Sequence, residues 1–285
     1  MATSVPIYTV DAFTSNLFSG NPAAVCLLDE DLCDEIKQKI ATELNLSETC
    51  FLTKINDQDS FFNLRWFTPT NEVPLCGHGT LSTAAVLFYI CKNQGTRLEF
   101  QTKSGLLAAQ KQGEFISLDM PLNPPQKLDQ QQQHEMKAII SAAVGNLPYD
   151  DVQYNSRTKK LLICLSDTLS RSHFENIKLT NESLLNAHNT GQVGGLILTL
   201  GGPNAKPYDF LSRYFSPWNG VNEDPVCGSA HSVLTPFWAK ILNKKELTAR
   251  QCSRRGGELW ITLRDDGRVD IKGNAKIVIQ GTLNL

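Results

Sequence analysis

Pro74-Leu75-Cys76-Gly77-His78 and Pro225-Val226-Cys227-Gly228-Ser229 decide the fold, because the same string stands upstream of each. Before the first comes Leu64-Arg65-Trp66-Phe67-Thr68-Pro69; before the second, Ser212-Arg213-Tyr214-Phe215-Ser216-Pro217. Both copies run Arg-aromatic-Phe-(Thr/Ser)-Pro, a short spacer, then Pro-aliphatic-Cys-Gly. A strongly apolar segment follows each Cys-Gly, at 79–90 and at 230–242. Leu81, Ala84, Ala85 and Phe88 fall at helical spacing, as do Ala230, Val233, Leu234 and Phe237. Other faces of both segments are apolar too, which predicts helices buried nearly all round. Pro236, about two turns into the second helix, is expected to kink it.

Matching order at a spacing near half the chain length is the mark of an internal duplication. Outward from the two helices, strands are expected at Ile7–Phe13, Ala23–Leu28, Cys50–Ile55, Phe61–Phe67, Arg97–Thr102 and Leu247–Cys252. A helix is expected over Asp31–Leu44, with Leu32, Ile36, Ile40 and Leu44 on one face. The glutamine run Gln130–Gln133 reads as an exposed helix start. An all-apolar helix is most simply buried inside a curled sheet. The expected fold is therefore α+β, with two pseudo-symmetric domains, each a curled, mostly antiparallel sheet wrapped around a central helix. Pro121-Leu122-Asn123-Pro124-Pro125 marks the boundary, giving halves of 1–122 and 123–285, with the last strand crossing back to the first half.

Bulk properties narrow the function. The net charge is -2 and no block of five or six like charges occurs, which argues against nucleic acid and an anionic membrane surface as partners. No apolar run approaches the ~18 residues a membrane helix needs. The stretch Met1–Thr9 lacks a basic region followed by an apolar one, so no signal peptide is expected there. Eight cysteines are scattered with no C-x-x-C pair, which speaks for reduced thiols in the cytoplasm and against a zinc site or any other metal.

The Cys-Gly turns suggest chemistry. A helix amino terminus presents unpaired N–H groups and a positive dipole end, a ready site for a carboxylate. Gly77, Gly79, Gly228 and Ser229 would let a small anionic substrate approach the backbone. With the halves related by a pseudo-two-fold axis, both termini could hold it from two sides, each offering about 0.3–1 kcal/mol. The same dipoles stabilise the charge that forms when a C–H beside a carboxylate loses its proton. The base could be a thiol, because Cys76 and Cys227 sit where a helix dipole lowers a thiol's pKa. It could equally be His78, Asp224 or a carboxylate from elsewhere. The spacers differ: Thr70–Val73 is short, whereas Trp218–Asp224 is longer and ends in Glu223-Asp224, the asymmetry expected of specialised chemistry. A hydrolase built on Asp224, Ser229 and His231 lacks a G-x-S-x-G elbow. Gly201-Gly202-Pro203-Asn204 lacks a nucleotide fingerprint.

Six ordered stretches carry a family resemblance: Val10-Asp-Ala-Phe-Thr14, Phe18-Ser-Gly-Asn-Pro-Ala-Ala-Val25, Asn45-Leu-Ser-Glu-Thr49, Leu64–Pro69, Pro74–Thr80 and Glu223–Ala230. Together they resemble the phenazine biosynthesis PhzF family over nearly the whole chain. The resemblance implies paired domains of diaminopimelate-epimerase type, a homodimer, and isomerisation by proton movement without metal or organic cofactor. It assigns the acid/base role to Glu48, and substrate orientation and proton sharing to His78 and Asp224. Carboxylate binding falls to Ser229 and the neighbouring amides. One departure matters: Cys227 stands where the phenazine enzyme has threonine. With Cys76 it restores the two-cysteine arrangement of related epimerases and racemases, so a two-thiol racemase is the alternative. Glu48 and Asp224 are both present, and His78 replaces the asparagine usual beside the epimerase thiol, which favours glutamate chemistry. A third alternative keeps the fold for a non-catalytic role with protein partners. The expected ligand is a small carboxylated metabolite.

Overall fold

The computed structural model describes residues 4–55 and 59–285; the first three residues of the amino-terminal stretch read above lie outside them. The chain divides into two compact units, Met1–Met120 with Gly257–Leu259 and Asp270–Leu285, and Pro121–Gly256 with Trp260–Val269.

The first unit contains β1 (Ser4–Ala12), β2 (Asn21–Leu28), α1 (Asp34–Leu44), β3 (Glu48–Lys54), β4 (Phe61–Phe67), β5 (Glu72–Val73), α2 (Gly77–Ala85), β6 (Arg97–Thr102), β7 (Gly105–Gln112) and β8 (Phe115–Pro121). β1 pairs antiparallel with β2, β2 parallel with β3, β3 antiparallel with β4, and β4 parallel with β6. β6, β7 and β8 continue antiparallel. Thr49–Thr53 of β3 are buried without alternation, as befits a strand covered on both faces. One cover is α1, whose Ile40 and Ala41 pack with Val5, Cys26, Leu28, Phe51 and Phe67. The other is α2, buried along its whole length and prolonged by a π turn at Val86–Ile90 that its apolar pattern did not foretell.

The second unit begins with β9 (Gln126–Lys127) and α3 (Gln130–Val144), whose Asp129 and Gln132 close a capping box at the glutamine run. β10 (Tyr149–Asn155), β11 (Lys160–Leu165), α4 (Arg171–Asn176), α5 (Asn181–Ala187), β12 (Gly195–Leu200), β13 (Phe210–Ser216), β14 (Val221–Asp224), α6 (Gly228–Leu242) and β15 (Glu246–Gln251) follow. β16 (Gly257–Leu263) and β17 (Arg268–Gly273) have residues in both units, and β18 (Ala275–Asn284) pairs antiparallel with β1. β11 pairs parallel with β12, β12 antiparallel with β13, and β13 parallel with β15. This is the order of directions found for β2, β3, β4 and β6.

The ladders fix the duplication residue by residue. In the first unit Ala23 faces Glu48, and Cys50 and Phe51 face Trp66 and Arg65. In the second, Lys160 faces Gly195, and Ile197 and Leu198 face Tyr214 and Arg213. Aligned on the shared Arg-aromatic-Phe string, Glu48 corresponds to Gly195 and Ala23 to Lys160. Two contacts recur. Arg65 grips Glu72 through Nε and Nη2 at 2.8 and 2.7 Å, and Arg213 grips Glu223 the same way at 2.7 and 2.9 Å. Ser104 Oγ donates to the Pro74 carbonyl and Ser253 Oγ to the Pro225 carbonyl, both at 2.8 Å. Glu223 is thus the repeat of Glu72; beyond the greater length of the second spacer, the asymmetry lies in Asp224 standing where the first copy has Val73.

α6 runs through Pro236 unbroken. The missing proline N–H orphans the Ser232 carbonyl, and the Asn123 N–H supplies the lost bond at 3.1 Å. No helix among the described residues is long and apolar enough to cross a membrane.

Candidate active site

Cys76 is extended (φ -141°, ψ 109°) and caps α2, its Sγ accepting the Gly79 N–H at 3.2 Å. A thiol here does what a hydroxyl or carboxylate usually does. Gly79 is therefore a packing glycine rather than an open cradle. Its amide belongs to Cys76, and a Cβ would come within 2.8 Å of Trp66 and 2.9 Å of Cys50 Sγ.

His78 stands in the first turn of this helix and Glu48 opens β3. Imidazole Nε2 lies 2.9 Å from Glu48 Oε2, with the approach off the line of a hydrogen bond. On the other side, His78 Nδ1 lies 3.1 Å from Asn21 Nδ2 and 3.5 Å from Cys76 Sγ. An amide nitrogen only donates, so with Asn21 in this orientation Nδ1 accepts and the ring proton sits on Nε2, toward the carboxylate. Asn21 is fully buried, His78 is buried and the Glu48 side chain is 15% exposed. A carboxylate beside an imidazole N–H in so dry a setting can take a proton from carbon and keep it out of water.

The sequence expectation for His78 and Glu48 thus meets two residues that lie together. Asn21 received no role from spacing, and its only signal is its place in the Phe18–Val25 stretch. The ligand atoms of Glu48, Cys76 and His78 all lie within 4.8 Å of one another, so this cluster could also hold a divalent ion.

In the second unit the Asp224–Cys227 turn is braced by a buried residue that spacing did not reveal. Gln251 Nε2 donates to the Asp224 carbonyl at 2.5 Å, and its Oε1 accepts the Cys227 N–H at 2.9 Å. Cys227 is the extended residue before α6, with Gly228 next and Ser229 Oγ 3.3 Å from the thiol. The expected lowering of thiol pKa is overturned here. Burial, followed by the charge of Asp224, pushes Cys227 up to about 12, against smaller opposition from Lys160, Ser229 and the Ala230 amide. Desolvation outweighs the helix dipole, so the thiol keeps its proton at neutral pH. His231 is sealed in, with Nδ1 2.7 Å from the Cys227 carbonyl and Nε2 3.2 Å from Ser212 Oγ. Burial holds it neutral down to about 4. Its hydrogen bond goes to Ser212, not Ser229, which removes the hydrolase alternative. Gly201 leaves room for the Trp238 ring, a packing duty unrelated to nucleotides.

The family model for phenazine biosynthesis-like proteins matches residues 10–281. The chain is 54% identical over 289 residues to the phenazine biosynthesis-like domain-containing protein of Bos taurus, covering 98% of this chain and 99% of that one. It is 42% identical over 278 residues to an uncharacterized isomerase of Pseudomonas aeruginosa, covering 98% of each. Its structure matches the crystal structure of a PhzF-family phenazine biosynthesis protein from Enterococcus faecalis with a TM-score of 0.86 and 38% identity, covering 99% of this chain and 100% of that one. The expected α+β architecture is therefore borne out along the whole chain. Motifs, ladder register and relatives agree that the chain belongs to the phenazine biosynthesis-like, or PhzF, family.

Proposed function

We propose that this protein is a cofactor-independent isomerase that moves a proton on a small carboxylated substrate, with Glu48 taking the proton and returning it. Family membership and the relative named as an isomerase support an isomerase- or epimerase-type enzyme. The observation that carries the finer proposal is the buried Glu48–His78 contact, with Asn21 fixing the ring from behind. His78 would hold the carboxylate in place and share its proton. Gly77 would orient the substrate beside Glu48 and His78; Asp224, Ser229 and the Gly228 amide form the second group of candidate substrate-binding residues, in the other unit.

The duplication supports a single base. The counterpart of Glu48 is Gly195, where a Cβ would overlap the Tyr214 ring and hydroxyl. A two-thiol racemase works with one thiolate and one protonated thiol, and a raised Cys227 pKa suits the proton-donating half of that pair.

The test is hydrogen exchange from D₂O into a panel of small carboxylic acids, read by mass spectrometry. Glu48→Gln is expected to slow exchange by about 10²–10⁴-fold, and Cys227→Ser to leave it within a few-fold. Exchange that survives Glu48→Gln but disappears in Cys76→Ser and Cys227→Ser would instead establish thiol chemistry. If no acid exchanges or binds, the role with protein partners gains. Homodimer assembly belongs to the same proposal and is read by light scattering.

A further inference from the structure

Three donors of different chemistry converge at the start of α2. Glu48 opens β3, Cys76 is the extended residue before the helix, and His78 stands in its first turn, all within the first unit. Their ligand atoms, a carboxylate oxygen, a sulfur and a ring nitrogen, lie within 4.8 Å of one another. Donors that share a tetrahedral zinc stand about 3.3–3.6 Å apart, so small rotamer changes close the trio on an ion. Glu48 Oε2 is buried and accepts no hydrogen bond among the described residues, which leaves it a lone pair to offer. A C-x-x-C pattern is blind to this trio, since Glu48 joins it from a separate strand.

The surroundings suit a metal as well as the donors do. The Gly79 N–H already points at Cys76 Sγ, 3.2 Å away, and a helix start favours the thiolate that a metal needs. Asn21 Nδ2 lies 3.1 Å from His78 Nδ1. A half-turn of this amide presents its oxygen instead, which moves the ring proton to Nδ1. Nε2, 2.9 Å from Glu48 Oε2, is then free to bind an ion, with Asn21 as the outer partner that fixes the ring. Charge and softness set the ion's class. Cys76 and His78 are buried and the Glu48 side chain is nearly so, a setting in which a dication needs anionic ligands to offset it. One thiolate and one carboxylate supply two negative charges. Sulfur and imidazole favour zinc and its neighbours over magnesium and calcium, which take oxygen.

We infer that Glu48, Cys76 and His78 form a binding site for a zinc-class divalent ion, with a fourth position left open for water or a carboxylate. Once occupied, the site ties up the side chain that the isomerase reading uses as its base, so the ion is a reversible inhibitor and not a cofactor. Only this consequence rests on that reading.

Cobalt(II) reports a thiolate ligand by an absorption band in the near ultraviolet, and tetrahedral geometry by strong visible bands. Titration of the full, reduced chain with CoCl₂ is expected to show both, saturating at one ion per chain and vanishing when ZnCl₂ is added. Cys76→Ser should lose the near-ultraviolet band. Glu48→Gln and His78→Asn should each weaken cobalt binding about tenfold or more by calorimetry, with circular dichroism checking that each variant folds. Cys33→Ser/Cys91→Ser, which removes exposed thiols, should bind cobalt as the wild type does. A wild-type chain without the near-ultraviolet band at saturating cobalt overturns the inference. So does a band that survives Cys76→Ser, or an affinity that neither Glu48→Gln nor His78→Asn changes. None of these measurements needs turnover, so the two proposals fail separately. A metal-free chain that exchanges no acid yet binds cobalt in this way refutes the isomerase reading alone.

Discussion

His78 owes its usefulness to what holds it, with Asn21 at one ring nitrogen and Glu48 at the other. The same trio of Glu48, His78 and Cys76 invites metal, which yields a prediction. Dialysis against EDTA should leave exchange unchanged, whereas added zinc should inhibit it by occupying the groups proposed to move the proton. His231 carries a different consequence. Folding holds it neutral to about 4, against 6.5 for the free side chain. Below 6.5 the unfolded chain takes up a proton that the folded chain refuses, so stability falls as the pH drops from 6.5 to 4. The loss should reach about 3 kcal/mol and flatten in His231→Gln, as melting curves across that range will show. Sequence spacing could single out His78, beside a repeated Cys-Gly, but not its neighbours. Asn21 lies 57 positions away, and only strand pairing brings it to the ring. Leu46-Ser47-Glu48-Thr49 carries no chemical signature of its own, so Glu48 depended on the family resemblance.

Both central helices were legible as elements, since each is an apolar run behind a repeated turn. What braces them was not. Pro236 reads as a kink, and the Asn123 N–H takes up the bond it frees, a partner more than a hundred positions upstream that no local pattern reveals. Arg213 looked like one letter of a repeat. Besides gripping Glu223, its Nη1 donates to the carbonyls of Phe174, Glu175 and Ile177 at 3.3, 3.4 and 2.5 Å, closing the carboxyl end of α4. Arg213→Met should therefore cost about 3–5 kcal/mol in chemical denaturation, the usual result of orphaning one partner of a buried pair. Arg65→Met, whose arginine is more exposed, should cost less. Helix position also misleads about thiols. Exposed Cys33 and Cys91 should react with iodoacetamide well before Cys227, despite its place at a helix start.

Across the whole molecule, the duplicated strand directions follow from strings visible in the sequence, and the α+β class was legible for that reason. The equivalence of Glu48 and Gly195 was not, because it is a fact of ladder register that needs both partners of each strand. Register also forecasts stability. Gly195→Ala would drive a methyl group into Tyr214, and should cost about 1–3 kcal/mol in melting experiments. The proposal that Glu48 alone moves the proton has a stereochemical corollary. A proton lifted from one face of a planar carbanion and redelivered by the same carboxyl must arrive on that face, so transfer is suprafacial. Deuterium from solvent should then occupy a single diastereotopic position in the product, and an optically pure substrate should never yield its mirror image.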